Sequence, residues 1–170
     1  MDKLKKLVET EEVMEKFIVD YRIPPNVGLR YCEEGEWHFR RNEGEVVIPL
    51  ITFVEGGVRI PMGPVMRDYL RHLRLALTQC AANVFRILGC VDALNEKMRL
   101  RLTHHDVNWC YNLQHRKGKS YYMKTRDDKV RLIQCLPESS KWLNKDFLIV
   151  FGEWHDGLHC PTEEGEPSGV

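Results

Sequence analysis

A chain of 170 residues with 43% apolar and 29% charged side chains has the size and balance of one globular domain. Its formal net charge is zero, and no apolar run approaches the roughly 20 residues that a membrane-spanning helix needs. The charge is uneven, however: residues 59–131 carry 15 Lys and Arg against 6 Asp and Glu, residues 97–131 carry ten against three, and the flanks are acidic. Such a middle either faces nucleic acid or is neutralised when the acidic ends fold back on it.

The N-terminus, MDKLKKLVETEEVMEK, mixes both charge signs around no apolar core, so it is not a secretory signal and an intracellular chain is expected. Leu4, Leu7, Val8, Met14, Phe17, Ile18 and Tyr21 fall near one stripe of a 3.6-residue period. That spacing predicts a helix over 2–20, ended by Pro24 and Pro25. Residues 1–25 are thereby set apart, as helix and proline linker, from a domain over 26–154. In that domain residues 46–54 are rich in β-formers, Gly56–Gly57 is a turn, and VRIPM reads as the return arm of a small hairpin.

A helical middle follows. Pro64 opens a helix with Val65, Met66, Tyr69, Leu70 and Leu73 on one face, and Ala81, Val84, Phe85, Leu88, Val91 and Leu94 repeat the spacing, with Thr78 as the expected cap. Thr103 and Asp106 have the spacing of a capping box, which predicts a third helix with Val107, Cys110, Tyr111 and Leu113 inward. After Gly118 the period falls to two, so SYYMKTR, KVRLIQCL and KDFLIVFGEW are predicted as three antiparallel strands. The tail, 155–170, is acidic and rich in Gly and Pro and is predicted to be a disordered exit. The fold class is therefore α+β: an N-terminal helix, a small hairpin, a helical middle, C-terminal antiparallel strands and a disordered acidic tail.

Candidate chemistry is sparse. Six cysteines, at 32, 80, 90, 110, 135 and 160, show no Cys-x-x-Cys spacing, and in a reducing environment most of them read as buried small hydrophobes. In THHDVNWC, Asp106 and Cys110 share a helix face, but His104 and His105 point about 100° apart, so a capped helix start is the simpler reading. In GEWHDGLHC, residues 152–160, His155 and His159 with Cys160, and with Cys135 from elsewhere, could complete a zinc tetrahedron. Gly157 and Pro161 oppose the helix this needs, so the stretch reads as a strand end and turn anchored by Trp154. Neither a nucleophile elbow nor a phosphate-gripping glycine loop occurs, so no enzyme activity, cofactor or small-molecule substrate is expected. Arg116, Lys117, Lys119, Lys124 and Arg126 interleave with Tyr111, Tyr121 and Tyr122. Such a run neutralises phosphates and stacks on bases, and it is equally the composition of a solvated strand edge.

Taken in order, VRIPMGPVMRDYL, TQCAANVFRILG, LTHHDVNWCYNL, YYMKTR and VRLIQCLPESSKWLNKDFLIVFGEW resemble the plant gypsy-type transposon domain. Ile60, Pro61, Leu77, Asn83, Arg86, Tyr121, Tyr122, Ser140, Trp142, Phe147, Val150 and Trp154 stand where that family's pattern places them. The chain departs from it in WLNK, where Lys145 follows Trp142 by three residues, and in Leu148, which replaces one of a phenylalanine pair. It stops at PSGV where members of the family continue, which implies a piece of a longer protein. No integrase carboxylate set, Tyr-x-Asp-Asp or Asp-Thr/Ser-Gly accompanies the likeness. The resemblance implies a retrotransposon-derived, non-catalytic, gag-like assembly module that works through protein partners or self-association. The alternatives are a nucleic-acid-binding module through residues 97–131 and a zinc-binding domain through His155, His159 and Cys160.

Overall fold

The computed structural model describes residues 4–33, 36, 42, 44–116, 120–137 and 146–154. Lys117, Lys119, Ser140, Trp142 and the tail with His155, His159 and Cys160 lie outside them. Helix α1 spans Glu11–Asp20, shorter than the 2–20 expected. The Thr10 hydroxyl accepts the Val13 N–H and caps it, and Glu11 and Glu12 favour its positive end. Once Thr10 takes that role the upstream stripe cannot join the helix, so Lys5–Leu7 forms a separate tight turn that buries Val8. Phe17 stacks on Tyr21 at 4.2 Å and meets Phe53 edge-on at 5.7 Å, which docks α1 on the core.

The expected hairpin over 46–62 does not form. Strand β2, Val46–Pro49, gives way at once to helix α2, Leu50–Val54. Pro49 has no N–H to extend a ladder, and its carbonyl accepts the Thr52 hydroxyl at 2.7 Å, which starts the turn. The VRIPM segment adds Val58, Ile60 and Met62 to the core without becoming a strand. Strand β1, Val27–Tyr31, and β2 instead flank β5, Phe147–Gly152, in an antiparallel sheet of order β1-β5-β2. Val46 and Leu29 both oppose Val150 from either side, so the run FLIV is paired along both of its edges. One face of this sheet adds Val46, Ile48, Leu148 and Val150 to the main core, and the other holds Cys32, Val47, Phe147 and Ile149.

The helical middle follows its spacing. Helix α3, Pro64–Leu73, has proline in its first turn and buries the five residues expected. Helix α4, Ala82–Met98, buries Val84, Phe85, Leu88 and Val91, and adds Ala82 and Ile87. Thr78 is not its cap: it lies in a separate turn, Leu77–Gln79, where the Gln79 side chain accepts the Ala76 N–H at 2.9 Å. Helix α5, His104–Cys110, starts as predicted, with the Asp106 carboxylate accepting the Thr103 N–H at 2.7 Å and its hydroxyl at 2.8 Å.

It ends early. Tyr111 and Leu113, expected on the inward face of this helix, belong instead to β3, Tyr111–Arg116, which pairs with β4, Ser120–Thr125. KVRLIQCL is not a strand; apart from an isolated bridge between Asp127 and Val130 it runs irregularly, with Leu132, Ile133 and Leu136 packed on the core. Of the three predicted C-terminal strands only two form, and they lie in different sheets, while the α+β class stands. Among the described residues no helix is long and apolar enough to cross a membrane.

Tyr69 is fully buried, and its hydroxyl has no hydrogen-bond partner among the described residues. A buried hydroxyl left unpaired costs about 1–3 kcal/mol, so Tyr69→Phe is expected to raise stability by about 1 kcal/mol in urea unfolding. A loss of that size would instead reveal a bond that the hydroxyl makes.

Candidate nucleic-acid interface

Helix α5 and the β3–β4 hairpin form one continuous surface because β3 begins where α5 stops. Arg126, just after β4, closes the join. Its N–H donates to the Cys110 carbonyl at 2.9 Å, and its Nε donates to the Asn108 carbonyl at 2.7 Å. A guanidinium at a helix C-terminus satisfies carbonyls that the helix leaves open and opposes its negative end. The two carbonyls belong to the residues either side of Trp109, so this cation is fixed beside that position.

Trp109 is 79% exposed, whereas Val107 and Cys110 of the same helix are buried. His105, one turn earlier, is exposed on the same side. No composition or motif argument singled this tryptophan out. The available signal was its position off the Val107–Cys110 stripe, which leaves a large indole with nothing to pack against.

The hairpin is held to the body along one side. The Asn83 amide donates to the Met123 carbonyl at 2.8 Å, and the Ala81 N–H donates to the Tyr121 carbonyl at 2.8 Å. The register pairs Gln114 with Tyr122 and Asn112 with Lys124. Alternation therefore places Asn112, Gln114, Tyr122 and Lys124 on one face, and Tyr111, Leu113, Tyr121 and Met123 on the other. The two adjacent tyrosines are divided in this way. Tyr122 donates its hydroxyl to Gln114 at 2.9 Å on the outer, polar face, while Tyr121 stands on the core side with its ring 4.8 Å from His115. Tyr111 is buried, and its hydroxyl takes the Ile133 N–H at 3.0 Å.

Of the residues singled out in the sequence, Tyr122 and Lys124 thus share the outer face of the hairpin, Arg126 follows them and is bonded beside Trp109, Tyr121 faces away, and Arg116 ends β3 at the far end of the hairpin. Lys124 and Arg126 are exposed. Acids close to them are already engaged: Asp128 accepts from Arg131 at 2.7 Å and from Thr125 at 3.2 Å, and those bonds hold its pKa down. Asp106 is held down by the Thr103 bonds that make the cap. Burial pushes the Cys110 thiol up, the opposite of what a nucleophile needs.

Elsewhere, a groove of about 780 Å³ runs between the start of α3, α4 and residues 55–59, with Arg86, Cys90 and Asp92 in its wall. It shares no residue with the α5–hairpin face. Cys135 is exposed, and the other ligands proposed with it for zinc lie outside the described residues. Among the described residues no group of three or more His, Cys, Asp or Glu is placed to hold a metal ion. The predicted anchor Trp154 is buried at the end of β5, its indole N–H donating to the Gly44 carbonyl at 2.8 Å. No family model matches the chain, and neither a curated protein nor a solved structure does.

Proposed function

We propose that this chain is a non-catalytic nucleic-acid-binding module of the retrotransposon-derived, gag-like kind that its signposts resemble. It holds unpaired bases and their phosphates against α5 and the outer face of the β3–β4 hairpin. The observation that carries this reading is Trp109, 79% exposed on a helix that turns its Val107–Cys110 stripe to the core. An indole in water forgoes the burial that makes tryptophan valuable to a core, and its face is a platform on which any base can stack. Arg126 beside it, Lys124 nearby and the basic excess over 97–131 supply the phosphate partners.

Binding is tested with a labelled single-stranded homopolymer of about 15 nucleotides, followed by anisotropy across a salt series. Trp109→Ala is expected to weaken binding about 10- to 100-fold while leaving thermal unfolding unchanged. A triple change of Arg116, Lys117 and Lys119 to Ala is expected to flatten the salt slope by about 2. An oligonucleotide that binds Trp109→Ala as tightly as the native chain, or fails to bind either at low salt, sinks the proposal. Self-association is the second reading, favoured by Met98 and Leu100, which stand 62% and 42% exposed just before α5. Sedimentation of the unliganded protein over a concentration range distinguishes it.

A further inference from the structure

Three imidazoles meet where α3 and α5 pack. His72 comes from the last turn of α3, and His104 and His105 from the first turn of α5. Ring centroids lie 4.9 Å apart for His72 and His104, 5.9 Å for His72 and His105, and 4.0 Å for His104 and His105. Two acids face the cluster. Asp68, one turn before His72 on α3, acts on His104, and Asp106 acts on His105 while its carboxylate is engaged by Thr103. Neutral rings pack well at these distances. A second proton in the cluster places like charges 4.0 to 5.9 Å apart, inside the Debye length, where they repel.

We propose that this junction is an acid-operated latch: proton uptake at His104, whose ring packs on those of His72 and His105, releases α5 from α3. Histidine is the side chain whose charge changes in this range, and α5 is a short helix. It has seven residues, of which only Val107 and Cys110 are buried. Burial first, and then the charges of His105 and His72, hold the His104 imidazole below its ordinary 6.5, against the pull of Asp68. The sign follows from that depression. The folded junction disfavours the proton, so its stability is complete above 6.5 and is lost as pH falls through the lowered value.

Amide hydrogen exchange of the full chain at pH 7.5 and 5.5, corrected for intrinsic exchange, reads the release directly. Protection over residues 104–110 is expected to fall about tenfold or more at the lower pH, while residues 84–91 of α4 keep theirs. His72→Gln, at an exposed position, is expected to lessen that fall and to move the His104 titration, followed by NMR, upward. His105→Gln provides the same test from the other helix. Protection at 104–110 that ignores pH, a fall shared equally by α4, or a fall undiminished in both variants overturns the latch.

Discussion

Phe85→Ala is expected to cost about 3–5 kcal/mol, a large part of the roughly 5–15 kcal/mol that holds a domain of this size together. Phe85 is fully buried in the middle of α4, and Gly56, at the end of α2, lies so close that a Cβ there would stand 3.0 Å from Cβ of Phe85. The backbone on that side cannot follow the retreating ring, because the next residue pins it. Arg86 donates through Nε to the Glu55 carbonyl, lies 3.6 Å from the Glu55 carboxylate, and donates to the Pro137 carbonyl at 2.8 Å. A site that cannot collapse keeps its cavity, which puts the cost at the upper end of the range. The urea midpoint should fall by about 1–3 M with an unchanged slope. A cost under about 1 kcal/mol would show that the α2–α4 contact is not part of the cooperative core.

Gly63 and Asp92 should behave as one unit. Gly63 is the cap position of α3 and offers no side chain, so the helix start is satisfied from another helix. The Asp92 carboxylate accepts the Val65 N–H at 2.9 Å and the Met66 N–H at 3.2 Å. A Cβ at residue 63 would lie 2.1 Å from Asp92 Oδ2, so the absence of a side chain there is what admits the carboxylate. Asp92→Ala is expected to cost about 2 kcal/mol, the value of a lost cap in a partly buried setting. Gly63→Ala should cost a similar amount, and the double change little more than either alone. Additive costs would mean that the two residues act separately.

Asp92 also has a pH signature. Desolvation by burial is the leading influence and holds its pKa above the ordinary 3.8, against the bonds from Val65 and Met66 and the charge of Arg67. The sign is opposite to that of an ion-paired acid. Native stability should decline as pH rises from 3.8 through the raised value, and the Asp92→Ala chain should lack that step. Unfolding midpoints of both chains across that window check it.

Several residues that carry the family resemblance turn out to hold the fold together. Asn83 brackets Met123, Arg86 joins Glu55 to Pro137, and Trp154 closes on Gly44. Trp109 carries the proposed binding surface, yet it stood in the sequence among histidines and a cysteine that drew the eye toward metal chemistry. Exposure is a property of what surrounds a residue, and only the early end of α5 and the course of β3 leave that indole uncovered.

The sequence by itself determined the α+β class, the buried faces of α3 and α4, the Thr103–Asp106 start of α5 and the anchoring role of Trp154. Each is written in bonds or contacts between residues a few positions apart, or in one large side chain at a strand end. Tertiary structure alone decided that β2 stops at Pro49, that α5 yields to β3 at Tyr111, and that FLIV lies between β1 and β2. A strand finds its hydrogen bonds on another strand. For Val46 and Val27 that strand begins at Phe147, about a hundred residues away, and no local period records the choice.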